Sequence, residues 1–139
     1  MKKVLLVVRA STLAHSARIE SQREEMKKWL NGLGYQDEEI EVLEYVASAH
    51  NRSTEYLQML EDIKRLTTDD DIKTVAVSDL SRLGRCESDL LSLKMYFIEH
   101  KVNLIVKNPA IKLLNADGTV SAADNIVYSM CAAMADTKL

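Results

Sequence analysis

Arg9 and Ser11 stand two residues apart at the end of a short apolar run, Val4-Leu5-Leu6-Val7-Val8. On an extended chain that spacing puts a guanidinium and a hydroxyl on the same side. Two further clusters repeat the theme, Ser48 with Arg52 and Leu80-Ser81-Arg82-Leu83-Gly84-Arg85, and an amphipathic stretch adds Gln22. If these segments meet, Arg9, Arg52, Arg82 and Arg85 converge on one hydroxyl in a chain whose net charge is −3. Guanidinium groups repel one another, so such a cluster calls for an anion between them. Their forked donors suit the paired oxygens of a phosphate. With Ser11 as nucleophile, the chemistry is phosphoryl transfer through a covalent phosphoserine. The arginines then neutralise charge that grows on the non-bridging oxygens. Only Asp79 and Glu44 are carboxylates near this set, and no His, Asp or Glu spacing resembles a metal site, so neither metal nor cofactor is expected.

The elements that must deliver these residues can be read from hydrophobic periodicity. Val4 to Val8 is too short for a lone helix and reads as a strand buried on both faces. From Ala17 to Leu33 the pattern is helical, with Ile19, Met26, Leu30 and Leu33 on one side and Gly34 placed for a left-handed cap. A second strand starts at Ile40. It runs out into the polar loop that carries Ser48 and Arg52, and a helix follows from about Thr54 with Leu57, Leu60, Ile63 and Leu66 inward. Ile72 to Val77 is a third strand, and a helix over residues 87–100 follows with Leu90, Leu91, Met95 and Ile98 as core candidates. Val102 to Val106 is a fourth strand. Ile111 to Leu114 suits a short edge strand, and an Ala- and Met-rich helix starts near Ser121.

Alternating strands and helices predict an α/β domain with a mostly parallel sheet of four or five strands. In such sheets chemistry gathers beyond the carboxyl ends of the strands, which is where Arg9, Ser11, Ser48, Arg52, Arg82 and Arg85 fall. One domain spanning 1–139 accommodates the whole pattern. Cys86 and Cys131 are widely separated and read as reduced thiols, and the apolar N-terminal run is too short for a signal peptide or a membrane span. A cytoplasmic protein is therefore expected.

Arg9-x-Ser11, Gln22, Ser48 with Arg52, and Leu80-Ser81-Arg82-Leu83-Gly84-Arg85, in that order, resemble the catalytic domain of the serine recombinases, the resolvase and invertase family of site-specific DNA recombinases. The resemblance covers nearly the whole chain. It implies a resolvase-like fold that ends in the start of a long C-terminal helix, and a Ser11 that cleaves and rejoins DNA through a 5′-phosphoserine without metal or ATP. It further implies that Arg9, Arg82 and Arg85 hold the phosphate, that Arg52 assists, and that Gln22 and Ser48 give supporting polar contacts. The partners implied are DNA and further copies of the chain, a homodimer assembling to a tetramer in the full-length protein. The family usually continues into a DNA-binding part, and the chain at Leu139 is expected to stop short of it. Two positions depart from the pattern. Val7 stands where the family usually has Tyr, and Ser81 where it often has Asp, which bears on the proton-accepting role rather than on the nucleophile. Two rival functions share these residues: a phosphatase or phosphotransferase acting on a small phosphomonoester, and an inactive binding or assembly module of the same fold.

Overall fold

The computed structural model describes residues 2–10, 16–46, 54–69, 71–84 and 86–135. The order of elements is β1 (Val4–Ala10), α1 (Ser16–Gly32), β2 (Ile40–Val46), α2 (Thr54–Thr68), β3 (Thr74–Val77), α3 (Glu87–Glu99), β4 (Asn103–Val106), β5 (Ile111–Lys112) and α4 (Ala122–Ala135). The strands form one five-stranded sheet in the order β2-β1-β3-β4-β5. The first four are parallel, and β5 runs antiparallel at the edge. The expected mostly parallel α/β architecture is what the chain adopts.

This order fixes where the helices lie. The step from β1 to β2 goes one way across the sheet, and the steps β2 to β3 and β3 to β4 go the other way. Right-handed crossovers then put α1 on one face and α2 and α3 on the opposite face. The core divides accordingly. Val4, Leu6 and Val8 pack with Ile19, Met26 and Leu30 of α1. Leu5 and Val7 pack with Tyr56, Met59 and Ile63 of α2 and with Leu90 and Phe97 of α3. A strand buried on both faces must be apolar at every position, which accounts for the unbroken Val4–Val8 run.

Gly34 ends the first helix region as its position suggested, at φ +105°. Tyr35 N–H donates to the Leu30 carbonyl at 3.1 Å and Gly34 N–H to that of Asn31 at 3.0 Å, the paired bonds of a left-handed helix stop.

The inward faces of the helices differ in part from the sequence reading. Leu33 lies past the end of α1 and is exposed. On α2 the buried line is Tyr56, Met59, Ile63 and Leu66, while Leu57 faces solvent. On α3 it is Leu90, Leu93, Lys94 and Phe97, while Met95 is exposed. On α2 and α3 the change rotates the helix by about one position. The gain is a large aromatic ring in the core, which removes more surface from water than the Leu or Met it displaces. Lys94 tolerates its place because its ammonium donates to the Ser129 hydroxyl of α4 at 2.8 Å.

Candidate active site at the strand ends

β1 lies between β2 and β3, so consecutive connections leave it in opposite directions. That reversal opens a crevice beyond the carboxyl ends of β1 and β3, the usual ligand position in an open parallel sheet. Arg9 is the last large side chain of β1 and is only 2% exposed. Its Nε donates to the Arg82 carbonyl at 3.1 Å, and its Nη2 donates to the Ser81 carbonyl. Arg82 answers in kind: its Nη1 donates to the Arg9 carbonyl at 2.9 Å. Each arginine thus grips the main chain of the other, and the turn after β3 is clasped to the end of β1.

That turn is a short 3₁₀ helix, Leu80–Arg82, capped by Asp79. Asp79 Oδ1 accepts the Ser81 N–H at 3.0 Å and also the Ser81 hydroxyl. Asp79 Oδ2 accepts from the Ser78 hydroxyl at 3.2 Å and lies 3.5 Å from Arg82 Nε. Ser81 is exposed and leans on Asp79, so a carboxylate is present in the turn although position 81 itself carries none. Deep behind the turn, the Tyr56 hydroxyl of α2 donates to the Leu83 carbonyl at 2.6 Å. Both residues are fully buried, so this carbonyl depends on Tyr56 in place of water.

In front of the turn is a cleft of about 580 Å³, lined by Ser21, Gln22 and Glu25 of α1, Ser78, Asp79 and Arg82 after β3, and Lys107 and Asn108 after β4. Gln22 Oε1 is buried without a hydrogen-bond partner among the described residues. Lys107 Nζ donates to Glu25 at 2.8 Å, and this ammonium holds the Glu25 carboxyl below the ordinary glutamate range.

Of the residues picked from sequence, Arg9, Arg82 and Gln22 are thus described. Arg9 and Arg82 are in direct contact, and Gln22 shares the cleft with Arg82. Ser11, Ser48, Arg52 and Arg85 lie outside the described residues. Arg82 combines its place in the cleft with an ion pair to Asp79, so it serves the turn and the crevice together. Val7 is wholly buried in the core, as its apolar side chain requires. Sequence reasoning missed Lys107 and Asn108, although the rule that finds Arg9 and Arg82, polarity just past a strand, points to them too. Tyr56 had no such signal, because its partner is a main-chain atom 27 residues away. No group of three or more His, Cys, Asp or Glu among the described residues could hold a metal ion.

Residues 4–138 match the family model described as the resolvase N-terminal domain. The chain belongs to the resolvase family. Solved structures with a similar fold include the N-terminal catalytic domain of TP901-1 integrase, 22% identical over 99% of this chain and 96% of that one, with a TM-score of 0.64. A resolvase-family site-specific recombinase from Streptococcus pneumoniae is 24% identical over 99% of this chain and 88% of that one, with a TM-score of 0.62. The C-terminal catalytic domain of ISC1926 TnpA, an IS607-like serine recombinase, is 19% identical over 76% of this chain and 70% of that one, with a TM-score of 0.61. These likenesses establish the resolvase fold. No curated protein matches the chain. No helix of this resolvase domain, among the described residues, is long and apolar enough to cross a membrane.

Proposed function

We propose that this resolvase domain is the catalytic domain of a serine-type site-specific DNA recombinase. The observation that carries the reading is the family match together with the Arg9–Arg82 clasp at the ends of adjacent strands. Two guanidinium groups anchored at one crevice supply the positive field that a phosphodiester requires. Ser11 follows Arg9 by two residues in the sequence.

In the proposed reaction the Ser11 Oγ attacks a DNA phosphorus. The Ser–O–P bond forms as the bond from phosphorus to the 3′ oxygen breaks, and that oxygen takes a proton to become a free 3′-hydroxyl. The phosphoserine retains the phosphodiester's bond energy, so a 3′-hydroxyl can attack it and rejoin the strand with no other energy source. Arg82 and Arg85 neutralise the non-bridging oxygens, Arg52 assists, and Gln22 and Ser48 add polar contacts. Arg9 acts on the phosphate and also on the turn that carries Arg82. Strand exchange needs more than one active site, hence a dimer that assembles to a tetramer. Ile126, Met130 and Met134, spaced four apart on α4 and each 57–60% exposed, fit a helix face covered by a second copy.

The test is a denaturation-resistant protein–DNA adduct, sought with the protein and its Ser11→Ala variant on DNA from its own genetic neighbourhood. The adduct is expected with wild type and absent with the variant. An adduct that persists in Ser11→Ala moves the nucleophile elsewhere. Turnover of a free phosphomonoester without any adduct favours the phosphatase class, and silence in both assays favours an inactive assembly module.

A further inference from the structure

The cleft in front of the Arg82 turn holds a second cation that the proposed reaction does not use. Arg82 and Lys107 both line it, from the ends of neighbouring strands β3 and β4. Neighbouring strands are roughly 4.8 Å apart, which places Lys107 one strand beyond the arginine turn and beside it. Main-chain bonds fix that position: Lys107 N–H donates to the Val77 carbonyl at 3.1 Å and Asn108 N–H to that of Ser78 at 3.0 Å. The Lys107 side chain is one-third exposed, so it is solvent-accessible and still anchored.

The cleft also contains two carboxylates, Asp79 and Glu25, and they differ in kind. Asp79 is committed to the turn, through Ser78, Ser81 and Arg82. Glu25 is 67% exposed and bonds across the cleft to Lys107. An exposed pair of this sort contributes little to stability and exchanges readily for another anion. Asn108 and Gln22 line the same space, and the Gln22 amide oxygen is buried without a hydrogen-bond partner among the described residues.

We propose that this cleft takes a second DNA phosphate, adjoining the one attacked, bound by Lys107 with Asn108 beside Arg82, and that Glu25 competes with that phosphate for Lys107. The inference rests on the recombinase reading and extends it to a DNA contact outside the Arg9–Ser11 and Arg82–Arg85 motifs. Glu25 then acts as an internal stand-in for DNA: it neutralises Lys107 in the free protein and yields when the backbone arrives.

The test is the salt dependence of binding to a 20-base-pair duplex of arbitrary sequence, which needs no recombination site. Lys107→Met is expected to lower the slope of log affinity against log salt by about 0.9, equivalent to an affinity loss of about eightfold at 0.1 M salt. Glu25→Gln is expected to tighten binding by up to about fivefold, a gain that a folding defect cannot produce. That gain is expected to vanish in the Lys107→Met background. Equal gain in both backgrounds makes Glu25 a bulk-charge effect and overturns the competition. If Arg82→Met weakens binding and Lys107→Met does not, the second-phosphate site is refuted and the recombinase reading stands. If the wild-type protein binds no duplex even at low salt, the site is likewise refuted, while the Ser11 adduct still decides the reading on which it rests.

Discussion

Gly84 and Tyr56 offer a test of how the arginine turn is held. A Cβ added at Gly84 sits 3.0 Å from the Tyr56 hydroxyl oxygen, closer than such contacts normally come. Its next neighbours, Asp89 Cβ and Leu90 Cδ2, are at an ordinary 3.5 Å. Gly84→Ala therefore has one conflict, and relieving it moves the hydroxyl away from the Leu83 carbonyl. Leaving that buried carbonyl unsatisfied costs about 1–3 kcal/mol. Against this, replacing Gly by Ala restricts the unfolded chain and returns about 0.4–1 kcal/mol. The net expectation for Gly84→Ala alone is a loss of roughly 0.5–2 kcal/mol, the difference of those two effects. Tyr56→Phe removes the same hydrogen bond outright and loses about 1–3 kcal/mol. In the Tyr56→Phe background the obstructing oxygen is gone, so Gly84→Ala changes sign and stabilises by about 0.4–1 kcal/mol. Urea unfolding of the four proteins, compared at a common slope, gives the coupling directly. Additive effects, with a coupling under about 0.5 kcal/mol, refute the argument that Tyr56 holds the turn through its hydroxyl.

Two other outcomes follow from side-chain hydrogen bonds of the fold. Arg9→Ala removes two charged donors from the carbonyls of Ser81 and Arg82 in a nearly sealed site, and a loss of about 2–5 kcal/mol is expected in urea unfolding. Asp62 supports acid sensitivity. Burial raises its carboxyl, but hydrogen bonds from Tyr45 and Gln58 and the nearby Arg65 outweigh burial and hold it below its ordinary value of 3.8. A lowered folded pKa means the stabilisation is complete above the unfolded value and lost as pH falls through the folded one. The stability gap between wild type and Asp62→Asn is thus expected to be constant from pH 7 to about 5 and to narrow below about pH 4. A gap that does not change with pH contradicts the assignment.

What could be read from the sequence follows a physical division. Strands and their chemistry were legible because a strand buried on both faces leaves an unbroken apolar run, and the polarity after it is abrupt: Val8 to Arg9, Val77 to Ser78. The parallel sheet followed from the alternation of elements. The strand order did not, since nothing local in β1 says that β2 and β3 will flank it. Helix faces were ambiguous wherever apolar residues sat side by side. Tyr56-Leu57 and Met59-Leu60 support two helical faces equally well, and the choice between them is made by what fits against Val7 and Leu83. Within the site, residue types pointed to Arg9, Arg82 and Gln22, but no spacing rule foretells that Arg9 holds the carbonyls of Ser81 and Arg82. Such bonds are addressed to main-chain atoms, which are the same at every position and so leave no mark in composition.

The clasp between Arg9 and Arg82 also sets when, during folding, the crevice comes into being. The two residues are 73 positions apart, and the bonds between them join the end of β1 to the turn after β3, so they close only once β3 has paired with β1. A chain that has folded only through β1, α1 and β2 has none of the Ser81 and Arg82 carbonyls that order the Arg9 guanidinium. Long-range parallel pairing is among the slower events in folding. The crevice is therefore a late product of assembly, and a half-folded or nascent chain does not present the paired arginines of the finished domain. For a protein whose proposed chemistry severs DNA, that order of events ties cutting power to completion of the fold.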